Sequence, residues 1–136
     1  MAAKGDLKQA VDYFRHALQI DPTHMNSHSN LANILAREGR LQEAIDHFRA
    51  ALKLKPDFAE AYHRLGRVLA GQGDLDRAID YFRQALRLQP EFAEAHESLD
   101  RALALQGKTE EAAQHYREAL RILKSRKMSY KQKVWK

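Results

Sequence analysis

The sequence of 136 residues has no cysteine, only three prolines and six glycines, and no long apolar run. Without cysteine, it can form no disulfide framework, thiolate metal site or cysteine nucleophile. No apolar run approaches the roughly 20 residues that cross a bilayer, so we expect neither a membrane span nor a signal peptide. We expect a cytoplasmic protein, and a periplasmic location stays open.

Net charge is unevenly distributed along the chain. The sequence has 23 basic and 18 acidic residues, a formal charge of +5, with 44% hydrophobic residues, which is typical of a folded domain. Residues 124–136 contain six basic and no acidic residues, which leaves 17 basic against 18 acidic in the rest. The positive excess therefore belongs to the C-terminal segment, and the remainder is nearly neutral.

The scarce residues recur at a fixed spacing of 34 residues. We call a set of residues at equal positions in successive repeats a column. The columns are Pro22, Pro56 and Pro90; Gly5, Gly39, Gly73 and Gly107; Ala10, Ala44, Ala78 and Ala112; Phe14, Phe48, Phe82 and Tyr116; Ala17, Ala51, Ala85 and Ala119; Leu18, Leu52, Leu86 and Leu120; and Leu31, Leu65 and Leu99. Such a period predicts a stack in which each unit buries its apolar face against its neighbours.

Each period predicts two antiparallel helices. Apolar residues follow steps of three and four from Leu41 to Leu52 and again from Tyr62 to Ala70. The segment 71–74, Gly-Gln-Gly-Asp, supplies a glycine that ends one helix and an aspartate that begins the next. Proline stops the second helix because it lacks an N–H and disfavours helical geometry in the residue before it.

Residues 59–92, AEAYHRLGRVLAGQGDLDRAIDYFRQALRLQPEF, resemble a tetratricopeptide repeat. The matching features are the aromatic–x2–Leu-Gly opening at Tyr62, the alanines Ala78 and Ala85, and Pro90. Residues 25–58 and 93–124 resemble the same unit, 1–24 resemble only its second helix, and 125–136 form a basic extension. The resemblance implies an all-α, right-handed superhelical stack of antiparallel helical hairpins, with about seven helices here.

Two departures from the family pattern fall in the last repeat. Asp100 stands in a column that otherwise holds Ala32 and Gly66, and Thr109 replaces a leucine. We expect this unit to be packed less tightly than the others. The alternative is that Asp100 pairs with a nearby arginine at little cost.

Lys124 stands where the repeat predicts a proline, so we expect the last helix to continue into the basic extension. Its apolar seam would contain Leu120, Leu123, Tyr130 and Val134. Such a tail could be a solvated extension or a cap over the last repeat, or it could dock on another copy. Binding to nucleic acid or to a membrane is less favoured.

At the other end, the chain begins with the second helix of a repeat, so the face bearing Leu7 and Phe14 lacks its usual neighbour. The chain could be a segment of a longer array or a short protein with a frayed end, or another copy could cover the face. The candidate residues for self-association are Leu7, Phe14, Tyr130, Val134 and Trp135.

The seven histidines do not form a recognisable metal motif. His28 shares a column with Tyr62 and His96, while His47 and His115 share one with Tyr13 and Tyr81, so they replace aromatic residues at repeat positions. No nucleophile elbow, phosphate loop or metalloprotease helix occurs. We therefore expect no catalytic residues, no metal, no cofactor and no enzymatic activity.

The family resemblance implies a concave groove, lined by the first helix of each repeat, that holds a peptide or a partner's helix. The residues expected to face it are Asn26, Ser29, Asn30, Asn33, Glu60, His63, Arg64, Arg67, Glu94, Glu97, Ser98 and Arg101. The spacing predicts ion pairs between Glu60 and Arg64 and between Glu97 and Arg101. Three arginines in this set favour an acidic partner.

The carboxylate clamp by which some family members hold an acidic C-terminus is largely missing. In one alignment only Asn33 matches, and in another Asn30 and Arg64 match but Glu60 does not. The sequence therefore predicts a protein-interaction scaffold with its own recognition pattern, and self-association through the two chain ends is the alternative.

Overall fold

The computed structural model describes residues 4–135, with side chains for residues 6–128, and all regular structure within this part is helical. The seven helices are α1 Lys4–Ile20, α2 Met25–Arg37, α3 Leu41–Leu54, α4 Ala59–Gly71, α5 Leu75–Leu88, α6 Ala93–Leu105 and α7 Thr109–Trp135. No helix in the described part is long and apolar enough to cross a membrane. The predicted all-α fold is confirmed.

The helices form three hairpins that stack in chain order. α2 packs on α3, α4 on α5 and α6 on α7, while α1, α3 and α5 each contact the first helix of the next hairpin. Each first helix also touches the next one, α2 with α4 and α4 with α6. The three first helices therefore lie side by side and present one continuous surface.

The turn inside each hairpin depends on a glycine with a positive φ. Gly73 has φ +85°, and its N–H donates to the Ala70 carbonyl at 3.0 Å while the Asp74 N–H donates to the Leu69 carbonyl at 2.9 Å. This pair of bonds is the Schellman motif, which closes a helix through one left-handed residue. The Asp74 side chain then accepts from the Arg77 N–H and caps the next helix.

The second helices α3 and α5 end two residues before the prolines. Lys55 and Gln89 have extended backbones, with φ −136° and −140°, as expected for residues that precede proline. Their N–H groups still donate to the carbonyls of Ala51 and Ala85, both at 2.9 Å. The chain then turns directly into the first helix of the next hairpin.

The core follows the repeat columns. The alanines at the contacts between helices, the aromatic residues of the second helices and the leucines of the first helices are all buried: Ala44, Ala51, Ala78, Ala85, Phe48, Phe82, Leu31, Leu65 and Leu99. Phe82 lies so close to Gly66 that a Cβ added there would stand 2.6 Å from a ring carbon. The small residues thus allow neighbouring helices to approach closely, and the aromatic residues fill the space between the helices.

The last helix continues without a break through Lys124, as the loss of proline predicted. Leu120 and Leu123 on its predicted apolar seam are exposed, whereas Ala119 and Ile122 are buried. The side chains of Tyr130, Val134 and Trp135 lie outside the described residues. Arg126, at the start of the basic extension, donates to the Glu91 carbonyl at 3.2 Å and therefore contacts the loop that precedes α6.

The apolar face left open on α1 differs from the predicted one. Leu7 and Phe14 are half-buried, and Phe14 packs against the core. The exposed apolar side chains are Tyr13 and Ile20, at 69% and 74% of their full accessibility.

Asp100, the charged residue in the column of small residues, is half-buried. It makes no ion pair with any residue whose side chain is described, so the arginine partner considered above is not present.

Candidate ligand groove

We call the surface formed by α2, α4 and α6 the groove. Between α4 and α6 it contains a pocket of about 540 Å³. Eight of the twelve residues predicted to face the groove line this pocket: Glu60, His63, Arg64, Arg67, Glu94, Glu97, Ser98 and Arg101. Gln89 and Phe92, from the loop that precedes α6, complete it.

The four predicted residues on α2 lie in different environments. Asn26 and Asn30 are exposed, Asn33 is half-buried, and Ser29 is buried. Asn33 joins Arg64 and Arg67 in a second pocket of about 400 Å³ between α2, α3 and α4. Only Asn33 of the four therefore belongs to a pocket with the α4 arginines.

Arg64 is held in place by two neighbours. Its Nη2 lies 2.6 Å from Glu60 Oε1, and its Nη1 donates to Asn33 Oδ1 at 3.1 Å. The predicted i,i+4 pair is therefore present, and Glu60 neutralises much of the arginine's charge. The bond to Asn33 links α4 to α2 across the groove.

The second predicted pair, Glu97 with Arg101, is absent: Arg101 makes no ion pair with any described side chain. Glu97 is half-buried on the pocket wall, whereas Arg101 extends into solvent. Correct spacing along a helix permits an ion pair, and an exposed arginine gains little by holding one geometry.

Arg67 is the central cation of the groove. It lines the two pockets already described and a third of about 250 Å³ between α4, α5 and α6 that also includes Arg101. Like Arg101, it pairs with no carboxylate among the described side chains. Two arginines in one column of the groove, on consecutive first helices, are therefore available to an anionic ligand.

His63 forms the floor of the main pocket and is only 6% exposed. Its Nε2 lies 2.8 Å from Ser98 Oγ, and its ring meets Phe92 edge-on at 5.0 Å between centroids. Burial, and then the charges of Arg67 and Arg64, lower the pKa of His63 from 6.5 to about 4. The ring is therefore neutral near pH 7 and adds no charge to the groove.

A further column, at the end of the first helices, also lines the groove and was not among the predicted residues. Arg37 and Gly71 line the second pocket, and Gly71 and Leu105 line the third. Leu105 is 74% exposed, and a Cβ added to Gly71 would meet nothing within 4 Å. One more helical turn beyond the column of Asn33, Arg67 and Arg101 would have identified these positions.

The groove offers both charged and apolar contacts. Val68 and Leu41 supply apolar walls to the second pocket, and Leu75 supplies one to the third. Across the described part of the chain, no three histidine or acidic side chains are grouped as a metal site would require. The arrangement suits a ligand that combines acidic and apolar side chains.

Family models described as tetratricopeptide repeat match residues 23–91, 63–126 and 2–24. The first of them alone covers half of the chain. The chain belongs to the tetratricopeptide repeat family. Members of this family generally bind other proteins, and the helical stack is that of a protein-interaction scaffold.

Several solved tetratricopeptide-repeat structures are similar to this chain. A crystal structure of MamA has a TM-score of 0.81 and 24% identity, with 90% of this chain and 67% of that one covered. A structure of residues 41 to the end of MamA from Desulfovibrio magneticus RS-1 has a TM-score of 0.81 and 25% identity, with 89% of this chain and 68% of that one covered. A structure of MamA MSR-1 has a TM-score of 0.76 and 21% identity, with 89% of this chain and 70% of that one covered. No curated protein shows significant sequence similarity to the chain.

Proposed function

We propose that this chain is a non-catalytic scaffold that holds an extended peptide or a partner's helix in the groove. Acidic side chains of the partner would meet Arg67 and Arg101, and its apolar side chains would enter the spaces beside Val68 and Leu75. The observation that carries the proposal is the pair of arginines on consecutive first helices with no carboxylate partner among the described side chains.

The electrostatic argument depends on which arginine is already neutralised. Arg64 pairs with Glu60 at 2.6 Å, so it contributes mainly to the shape of the groove. Arg67 and Arg101 retain their charge, and a guanidinium binds a carboxylate through two parallel hydrogen bonds. Glu94 and Glu97 stand on the same wall, so the groove would accept separated acidic residues better than a continuous acidic run.

Charge reversal tests the proposal. The double variant Arg67→Glu/Arg101→Glu should lose capture of the partner, because it replaces two attractions with two repulsions while breaking no internal ion pair. The matched control is Arg49→Glu/Arg87→Glu, which makes the same charge change at exposed positions on α3 and α5. Pull-down measures capture of the partner by each variant. Circular dichroism checks that each variant is folded.

Loss of capture in the groove variant alone would support the proposal. Equal capture by the wild type and the groove variant would place the binding surface elsewhere. Equal loss in both variants would mean that net charge, rather than the groove, governs binding.

Self-association is the second candidate, and it rests on exposed apolar side chains at the two ends of the stack. Tyr116 is 52% exposed, whereas Phe82 at the same repeat position is buried. Tyr13 and Ile20 are exposed on α1. Sedimentation at two concentrations should show assembly that Tyr116→Glu weakens. Deletion of residues 125–136 tests the part played by the tail, and a monomer at both concentrations would reject this candidate.

A further inference from the structure

Two pairs of histidines lie at equivalent places in the first and third hairpins. His28 on α2 and His47 on α3 place their Nδ1 atoms 3.0 Å apart, and His96 on α6 and His115 on α7 do the same at 3.0 Å. In the middle hairpin two tyrosines, Tyr62 and Tyr81, stack with centroids 6.0 Å apart. The two repeat positions therefore hold either two histidines or two tyrosines in each hairpin.

The second ring nitrogen fixes where the protons are. His28 Nε2 lies 2.8 Å from the Pro22 carbonyl, and His96 Nε2 lies 3.0 Å from the Pro90 carbonyl. A carbonyl oxygen can only accept, so Nε2 of these two rings must carry a proton. In the neutral ring Nδ1 is then an acceptor, and the partner's Nδ1–H donates to it.

We propose that each histidine pair is a proton-sensitive latch that joins the two helices of its hairpin at neutral pH and opens when both rings are protonated. A fully protonated pair would bring two N–H groups face to face at 3.0 Å, with two positive charges and no acceptor. Tyrosine does not titrate in this range, so the tyrosine pair of the middle hairpin keeps its contact. This inference does not depend on the proposed function of the groove.

The pair takes up its protons in two steps. The first proton can bind the ring that donates, here His47 or His115, and the resulting imidazolium still donates to the neutral partner. The second proton removes the remaining acceptor and breaks the contact. The latch therefore opens with the second step, and the two steps belong to the pair rather than to either ring.

The charged groups around the first pair come from two helices. Arg15 on α1 faces His47, and Glu43 and Asp46 lie on α3 with it. Burial, and then the charges of His28 and Arg15, lower the pKa of His47, while the two carboxylates oppose the shift. Arg15 contacts Glu43 at 3.4 Å, and this ion pair weakens the influence of both charges on the pKa of His47.

The second pair has a matching environment. Arg83 on α5 and Asp100 on α6 face His115, and Glu111 precedes it on α7. Burial, and then the charge of His96, lower the pKa of His115. Arg83 and Glu111 form an ion pair at 3.1 Å. Glu118, the other nearby carboxylate on α7, is held by Arg121 at 3.0 Å.

His24 is a further histidine at the start of the first hairpin. His24 Nδ1 accepts from the Ser27 N–H at 3.2 Å and caps α2, so its protonation would also weaken that helix. The third hairpin has Phe92 at the equivalent position and no such cap. The latch between α6 and α7 is therefore tested without the histidine cap that complicates the first hairpin.

The experiment is hydrogen exchange of the full chain at pH 7 and pH 5, expressed as protection factors relative to an unstructured peptide. We expect protection in α6 and α7 to fall at least about tenfold more in the wild type than in the variant His96→Tyr/His115→Tyr, which copies the middle hairpin. His63 is present in both proteins, so the effect of its own titration cancels in this comparison. An equal fall in the two proteins would overturn the proposal.

A second measurement needs no variant. Nitrogen-15 spectra of the histidine rings at pH 7.5 report which nitrogen carries the proton. We expect Nε2–H in His28 and His96 and Nδ1–H in His47 and His115. The opposite tautomer in either pair would remove the donor and acceptor assignment on which the latch depends.

Discussion

Adding one methyl group at Gly66 tests how closely the two helices of the middle hairpin approach. In Gly66→Ala the new Cβ would lie 2.6 and 2.8 Å from two ring carbons of Phe82 and 3.2 Å from the Ala78 carbonyl oxygen. Carbon atoms normally approach to about 3.5 Å, so the ring must move by nearly 1 Å. Phe82 is 1% exposed and touches His63, so its ring is closely packed and a shift of this size disturbs its neighbours.

The magnitude follows from two opposing effects. Overpacking of a buried contact costs about 1 to 3 kcal/mol, whereas replacing glycine by alanine inside a helix gains up to about 1 kcal/mol. We therefore expect Gly66→Ala to lower the free energy of unfolding by about 1 to 2 kcal/mol. Ala32 stands in the same column of the first hairpin, so the tight contact is particular to the second.

Urea denaturation followed by circular dichroism measures the effect. The matched control is Gly71→Ala, the same change in the same helix, where the added Cβ meets nothing within 4 Å. We expect the control to be neutral or slightly stabilising. If Gly66→Ala proved as stable as Gly71→Ala, the close approach of α4 and α5 would be wrong.

Three further predictions concern packing, turn geometry and pH. Ala51→Leu should lower the free energy of unfolding by about 1 to 3 kcal/mol in the same denaturation assay, because Ala51 is fully buried between helices; a neutral result would contradict that packing. Gly107→Ala should lower the melting temperature, because Gly107 has φ +81°, and an unchanged temperature would argue against the left-handed turn. Folding lowers the pKa of His63 from 6.5 to about 4, so its contribution to the free energy of unfolding should fall by about 3 kcal/mol as the pH drops from 6.5 to 4, and His63→Gln should remove that contribution. Urea titrations across this range would contradict the last prediction if both proteins lost stability equally.

The repeat columns predicted the backbone because the residues concerned act locally. Gly73 and Pro90 end helices through their own geometry, and buried Ala85 marks a contact that every hairpin repeats. The continuation of α7 followed in the same way from the absence of a proline at Lys124. Periodicity thus specified which residues form helices and which faces meet.

Side-chain partners were harder to predict because they depend on competing neighbours. Glu60 and Glu97 both stand four residues before an arginine, yet only Glu60 forms the ion pair. Asn33 on α2 helps to hold Arg64 in that geometry, whereas none of the side chains of residues 6–128 forms a hydrogen bond with Arg101. The sequence also showed the histidine columns, but not that their ring nitrogens would meet at 3.0 Å.

The central claim, that the groove formed by the first helices is the surface that binds a partner, is tested most directly by site-specific photocrosslinking. A photoreactive residue is placed in turn at Asn30 and Glu97 in the groove and at exposed Asp46 and Asp80 on the second helices. The account predicts that the partner is crosslinked from the two groove positions and not from the other two. Crosslinking from Asp46 and Asp80 alone would contradict it.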